Sequence, residues 1–249
     1  LRKKGLSIAN KKSNREAKEG AIGIFSKDKL TVILQINTET DFAAKNDTFL
    51  SFVENIATIA LDSKNVDLSI DDLNKIDVDG RSVSELFTDI IAKIGENIIL
   101  NKLSLIDHSE DSLISTYIHN SYKKNVGKIG VVLKSEVKSL NEEAVSLGKN
   151  LCMHIAASKP LALEIDQLNI ELIEKEKEIQ IQTIKSSGKP ENIAAKILDG
   201  KMKKFYSESL FLRQSYILDP DKTVSKIISD FSLKNEFKII DYHLFVLGS

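Results

Sequence analysis

The sequence predicts an α+β protein with two similar antiparallel-sheet subdomains, flanking helices and a projecting antiparallel coiled-coil hairpin. Three observations carry that expectation. Strand-like residues Val32, Ile33 and Leu34 precede Val131, Val132 and Leu133 by 99 positions. Helix-spaced residues Phe49, Val53 and Ala57 precede Leu147, Leu151 and Ile155 by 98 positions, so a hairpin-then-helix unit occurs twice. Finally, two charged segments with thin apolar stripes flank a Ser-Gly-Lys-Pro turn, the pattern of a helical hairpin.

Residues 1–20 (LRKKGLSIANKKSNREAKEG) are basic and read as a linker with a helical turn, too charged for a signal peptide. The β-rich runs 21–25 and 30–37, joined by four turn-prone residues, read as a β-hairpin. Phe49, Phe52, Val53, Ile56, Ala57 and Ala60 recur at helical spacing and predict an amphipathic helix over 47–62. Residues 62–82 are polar and rich in Asp and Asn. Val83, Leu86, Phe87, Ile90, Ile91 and Ile94 then predict a second helix, where Gly95 either interrupts the helix or packs closely. A strand is expected over 98–106.

The second copy comprises strands over 113–119 and 129–135, a turn over 120–128, and a helix from 141. Ile165, Leu168, Leu172 and Ile179 form the first thin stripe. Pro190 fits the first turn of the returning helix, which carries Ile193, Ile197, Leu198, Met202 and Phe205. The core resumes with Leu210, Leu212, Tyr216 and Ile217; a short helix at Val224, Ile227 and Ile228 precedes a closing strand over 237–247. The expected division is a linker at 1–20, a first subdomain at 21–97, a second at 98–165 and 208–249, and a hairpin insertion at 166–207.

Composition narrows the function. The 35 Lys+Arg and 36 Asp+Glu residues nearly cancel, to a net charge of -1, which argues against a direct nucleic-acid binder. A hydrophobic fraction of 42% beside 29% charged residues is that of a globular chain, and no apolar run approaches the ~20 residues that span a bilayer. The lone Cys152 forms no internal disulfide and fits a reducing compartment; between Leu151 and Met153 it reads as a buried structural thiol. His108, His119, His154 and His243 lack metal-ligand spacing and read as surface or satisfied buried histidines. No phosphate loop, GxGxxG, HExxH, GxSxG or CxxC occurs. The expectation is a surface that works by contact, with no cofactor, no metal and no covalent chemistry.

One segment stands apart: residues 37–49, NTETDFAAKNDTF, between a strand and a helix, where side chains project from a scaffold. Thr40 or Asp41 caps a short turn that carries Phe42 near its exposed end. Composition alone favours a core place for that ring.

ETDFAAKNDTF (39–49) resembles the signature of the elongation factor Ts family. Further matches follow in the family's order: LRKKG and EGAIG near the start, KIGENI (93–98), YIH (117–119), KIGVVL (128–133), LCMHIAASKPLAL (151–163), and the stretch KPENIAAKILDGKMKKFYSESLFLRQSYILDPDKTV (189–224). The resemblance covers essentially the whole chain. It implies an exchange factor, not an enzyme, that promotes GDP release from elongation factor Tu during translation elongation, in a bacterial cytoplasm or an organelle matrix. It implies that Thr40, Asp41 and Phe42 reach that GTPase near its Mg²⁺, with Phe42 as a wedge. His119 and Ile217 match positions that touch the partner. The coiled coil is similar to one that contacts the GTPase or a second copy of the factor.

Three departures accompany the resemblance. The resemblance leads to the expectation that the family's ubiquitin-associated-like N-terminal module belongs before Leu1, outside this sequence. Ser215 replaces a usual Pro, which leaves the loop to Ile217 less fixed. FVLGS (245–249) stands where an Arg and a Gly-Glu pattern lead into a terminal helix. The rival expectation is a coiled-coil adaptor or chaperone-like protein that holds a translation partner without driving exchange.

Overall fold

A computed structural model describes residues 7, 9–188 and 190–248. The opening LRKKG and Lys189 of the Ser-Gly-Lys-Pro turn lie outside the described residues; residues 9–12 of the linker are helical. In chain order the elements are β1 (Glu19–Lys27), β2 (Leu30–Thr38), α1 (Asp41–Ala44), α2 (Asp47–Asp62), α3 (Ile70–Lys75), β3 (Asp77–Val78), β4 (Arg81–Ser82) and α4 (Val83–Ile94). They continue with β5 (Ile99–Asp107), β6 (Ser112–Lys123), β7 (Val126–Val137), α5 (Glu142–Ser158), α6 (Ile170–Ser186), α7 (Glu191–Ser209), β8 (Ser215–Tyr216), β9 (Asp219–Thr223), α8 (Val224–Ser232) and β10 (Phe237–Val246). The class is α+β. Two compact units form, one of Leu1–Ala156 with Ile239–Ser249, the other of Ala157–Lys238.

In the first unit a six-stranded sheet runs in the order β10-β7-β1-β2-β5, with β6 paired to β7. The strands of both hairpins therefore share one sheet, joined antiparallel where Ile22 faces Gly127 and Gly23 faces Val126. β2 is central and buried from Thr31 to Thr38, which explains its nearly continuous apolar run. The apolar face of α2 and residues Phe87, Ile90 and Ile91 of α4 pack with Val32, Leu34 and Ile36. A second cluster gathers Ile22, Ile24, Ile33, Ile106, Val132 and Phe245. Gly148 lets α5 approach β6 closely, for a Cβ there would lie 2.1 Å from Ser115 Oγ.

Helix boundaries follow their caps. The Asn46 side chain accepts from Thr48 N and opens α2, and Ser82 with Glu85 forms a capping box that opens α4. Gly95 ends α4 in the left-handed region at φ 84, with nothing within 4 Å of where a Cβ would stand. Of the two expectations for Gly95, interruption holds and close packing does not.

Two stretches differ from the sequence reading. The turn expected over 120–128 contracts to Lys124 and Asn125, because Asn125 adopts φ 67 and lets the strands run on to Lys123 and from Val126. The polar stretch 62–82 contains α3, capped by Ser69, and the small β3–β4 pair around Asp79 and Gly80. Both turn residues have positive φ, as a tight two-residue turn requires.

In the second unit α6 and α7 form the helical hairpin, tied by a bond of 2.8 Å from Lys201 Nζ to Gln180 Oε1. At its base Ala162, Leu168 and Leu210 cluster with Ile173, Phe205 and Tyr206.

Candidate partner-binding site

β2 ends at Thr38, whose hydroxyl donates to the Thr40 carbonyl at 2.9 Å and turns the chain out of the sheet. Thr40 is extended and its Oγ1 accepts from Ala43 N at 3.3 Å, so Thr40 rather than Asp41 caps α1. The single turn presents its residues unequally. Ala43 and Ala44 are buried against the sheet, while Phe42 is 83% exposed. Asp41 Oδ2 accepts from Lys45 Nζ at 3.0 Å. That bond, with the Lys45 and Lys128 charges, holds the Asp41 carboxyl below the usual carboxylate range. Because α2 is capped at Asn46, directly after Lys45, little slack remains on either side of the turn.

Behind the turn lies the loop after α4. The Glu96 carboxylate accepts three hydrogen bonds, from Glu39 N at 3.1 Å, Thr40 N at 3.0 Å and Thr40 Oγ1 at 2.6 Å. In return Glu39 Oε1 accepts from Asn97 N at 2.7 Å. The buried Asn97 donates onward to the Arg15 and Ser13 carbonyls at 2.7 and 3.4 Å. Sequence reasoning gave Glu96 and Asn97 no role, although both lie in the matched stretch KIGENI (93–98), directly after the capping Gly95.

His119 is exposed on β6 opposite Ile129, with Nδ1 3.1 Å from the Tyr117 hydroxyl on the same face. Lys128, whose charge reaches Asp41, is the residue before Ile129. Tyr122, on the same hairpin, has its hydroxyl buried without a hydrogen-bond partner among the described residues. Burial, with the Glu19 and Asp41 charges, raises its pKa. The first unit thus sets the Thr40–Phe42 turn within electrostatic reach of the second hairpin.

Ile217 belongs to the second unit. It follows β8 in the turn to β9, 37% exposed beside Leu218 at 56%. Ser215 pairs with Thr223, and Gln214 Nε2 donates to the Glu208 and Ser158 carbonyls at 2.7 and 3.3 Å.

Among the described residues no group of three or more His, Cys, Asp or Glu is placed to hold a metal ion. Cys152 is fully buried, and burial pushes its thiol pKa up, away from the thiolate needed for reactivity. Among the described residues no helix is long and apolar enough to cross a membrane. What the Thr40–Phe42 turn offers chemically is a large apolar ring held in water on a braced turn.

Comparison with known proteins places the chain in a family. Residues 39–249 match the family described as Elongation factor TS. The chain is 40% identical over 252 residues to the elongation factor Ts of Bartonella henselae, covering all of this chain and 81% of that one. It is 38% identical over 232 residues to that of Rhizobium meliloti, covering 92% of this chain and 74% of the relative. With that of Brucella ovis it shares 39% identity over 230 residues, with the same coverage of 92% and 74%.

Proposed function

The chain belongs to the elongation factor Ts family and so has a part in translation elongation, and on that premise we propose that it is the guanine-nucleotide exchange factor of elongation factor Tu. The observation that carries this reading is Phe42, 83% exposed on a turn whose neighbours Ala43 and Ala44 are buried. An exposed ring on a mobile tail would lose its contact energy to ordering; a ring on a braced turn meets its partner with that entropy already lost.

The mechanism needs no bond chemistry. A GTPase holds GDP through backbone amides around the phosphates, a lysine and Mg²⁺. Phe42 enters near that phosphate and Mg²⁺ site as a wedge, and Asp41 accompanies it as a carboxylate. The site so deformed holds nucleotide poorly, GDP leaves, and GTP rebinds. By reciprocity GDP weakens this protein's hold on the GTPase by the factor by which this protein weakens GDP. Each tenfold step in that factor takes about 1.4 kcal/mol of differential binding. His119 and Ile217 add further contacts to the GTPase. The helical hairpin, with Ile170, Leu172, Ile179 and Ile193 exposed, supplies a further contact, to the GTPase or to a second copy.

The test is release of a fluorescent GDP from elongation factor Tu, in excess over this chain. Repeated acceleration at substoichiometric chain is the expected result. A chain that binds the GTPase and leaves the release rate unchanged is an adaptor, and the proposal falls.

A further inference from the structure

We infer that Glu96 is a positioning residue for Phe42, fixing through Thr40 the pose in which the ring is presented. The inference rests on the reading of Phe42 as the working contact.

The sheet register creates the need. The β2–β5 ladder ends where Asn37 faces Ile99, and β1 pairs β2 only as far as Thr38. Beyond those points the amides of Glu39 and Thr40 have no strand to bond. Glu96 lies just before β5 on the neighbouring chain segment, and its carboxylate takes both amides and the Thr40 hydroxyl. An ionised carboxylate has about four acceptor positions and no proton, so it serves three donors without conflict.

The hydroxyl is the element that transmits this hold. Thr40 Oγ1 has one proton, and the 2.6 Å contact commits it to Glu96. Its lone pairs are thereby turned toward Ala43 N, the bond that closes α1 behind Phe42. Without Glu96 the hydroxyl is no longer committed and two amides are left to water. The Thr38 hydroxyl, the Asn97–Glu39 bond and the burial of Ala43 and Ala44 still hold the turn on the sheet, but its direction is less fixed. The two apolar clusters described above do not involve Glu96, so the chain stays folded while the ring loses its fixed direction.

The chain contains no tryptophan, so Phe42→Trp supplies a single tryptophan at the working position, excited selectively beyond the absorption of the five tyrosines. In the full chain, without the GTPase, the anisotropy of that ring reports how tightly the turn is held. Glu96→Ala in this background is expected to lower the anisotropy distinctly at an almost unchanged melting temperature. Glu96→Gln, which keeps one acceptor oxygen but turns an NH₂ toward the donors, is expected to fall between. With Phe42 restored, Glu96→Ala should slow the saturated rate of GDP release about tenfold, as loss of orientation does, and raise the half-saturating concentration less. Thr40→Val should add little in the Glu96→Ala background, because the hydroxyl's direction is already lost.

Unchanged anisotropy in Glu96→Ala would overturn the positioning role. So would lowered anisotropy with normal GDP release, provided Phe42→Ala is slow. If Phe42→Ala is also normal, the wedge reading fails, while Glu96 still fixes the turn. If Glu96→Ala does not fold, Glu96→Gln decides by the same two readouts, and failure of both to fold makes Glu96 a residue of the scaffold and refutes the inference.

Discussion

Phe42→Ala separates the protein's stability from its activity. In the free chain the ring is 83% exposed, so little apolar surface returns to water when it is truncated. The cap bond from Ala43 N to Thr40 Oγ1 and the burial of Ala43 and Ala44 are untouched. Stability should therefore change by no more than about 0.5 kcal/mol, as at other surface positions. In the proposed complex the same ring would pass from mostly exposed to buried on the GTPase. Burying a Phe side chain fully contributes about 1.5–3 kcal/mol, and interface hot spots reach about 2 kcal/mol or more. Because that contact belongs to the nucleotide-free complex, a loss of about 2 kcal/mol slows GDP release roughly 30-fold at 1.4 kcal/mol per tenfold. The assay is fluorescent GDP release at saturating chain, with thermal unfolding of the same samples. A loss of about 3–5 kcal/mol in stability, the cost of truncating a core Phe, would refute the reasoning. So would an unaltered release rate.

The chain should neither bind nor hydrolyse GTP; titration calorimetry with GDP or GTP alone should give no saturable heat, and micromolar binding would count against an exchange factor. Replacing residues 180–201 with a short Gly/Ser linker should leave one cooperative unfolding transition, because Leu168, Ile173, Phe205 and Leu210 at the hairpin base remain; binding to the GTPase or self-association should weaken, and loss of cooperativity would make the hairpin tip part of the core. His108, whose Nε2 lies 2.8 Å from Thr31 Oγ1, is depressed below 6.5 by burial and then by the Lys134 charge, against the opposing Asp107 carboxylate. Its contribution is complete above its unfolded value of 6.5 and is lost as pH falls from there toward the folded value, where only the unfolded chain takes up the proton. The melting temperature should therefore drop as pH falls through and below 6.5, and His108→Asn should reduce that drop; an equal drop in the variant would remove His108 as the cause.

Local signals explain how far the fold was legible. The helices Asp47–Asp62 and Val83–Ile94 agree with the expected spans because periodicity, cap and stop coincide, with Asn46, the Ser82–Glu85 box and Gly95 as boundaries. Asp79-Gly80 is an equally strong hairpin signal, but the strands it joins are two residues each, too short for alternation to register. That the two hairpins lie side by side in one sheet depends on Ile22 facing Gly127, a pairing between residues 105 positions apart (127 less 22) that no local pattern encodes.

The site was legible in part for the same reason. The strand–turn–helix context locates residues 40–42, but composition favours a buried Phe42. It is exposed because α1 is a single turn whose inward side is occupied by Ala43 and Ala44. Glu96 reaches Thr40 across 56 positions, through the β2–β5 register and the left-handed Gly95, so nothing near Thr40 announces it. As a contact residue Ile217 was found only by resemblance, and its apolar pattern, which reads as resuming core, misplaces it: it is 37% exposed because it lies in the short turn between β8 and β9.

The central claim is that this protein and GDP compete for one GTPase. Its most direct measurement is the dissociation constant of the chain for elongation factor Tu, taken once without nucleotide and once with saturating GDP and Mg²⁺. The account predicts much tighter binding to the nucleotide-free form, by the ratio in which the chain raises the dissociation constant for GDP. Equal affinity for the two forms would contradict it, for a ligand that binds both states alike shifts nothing between them.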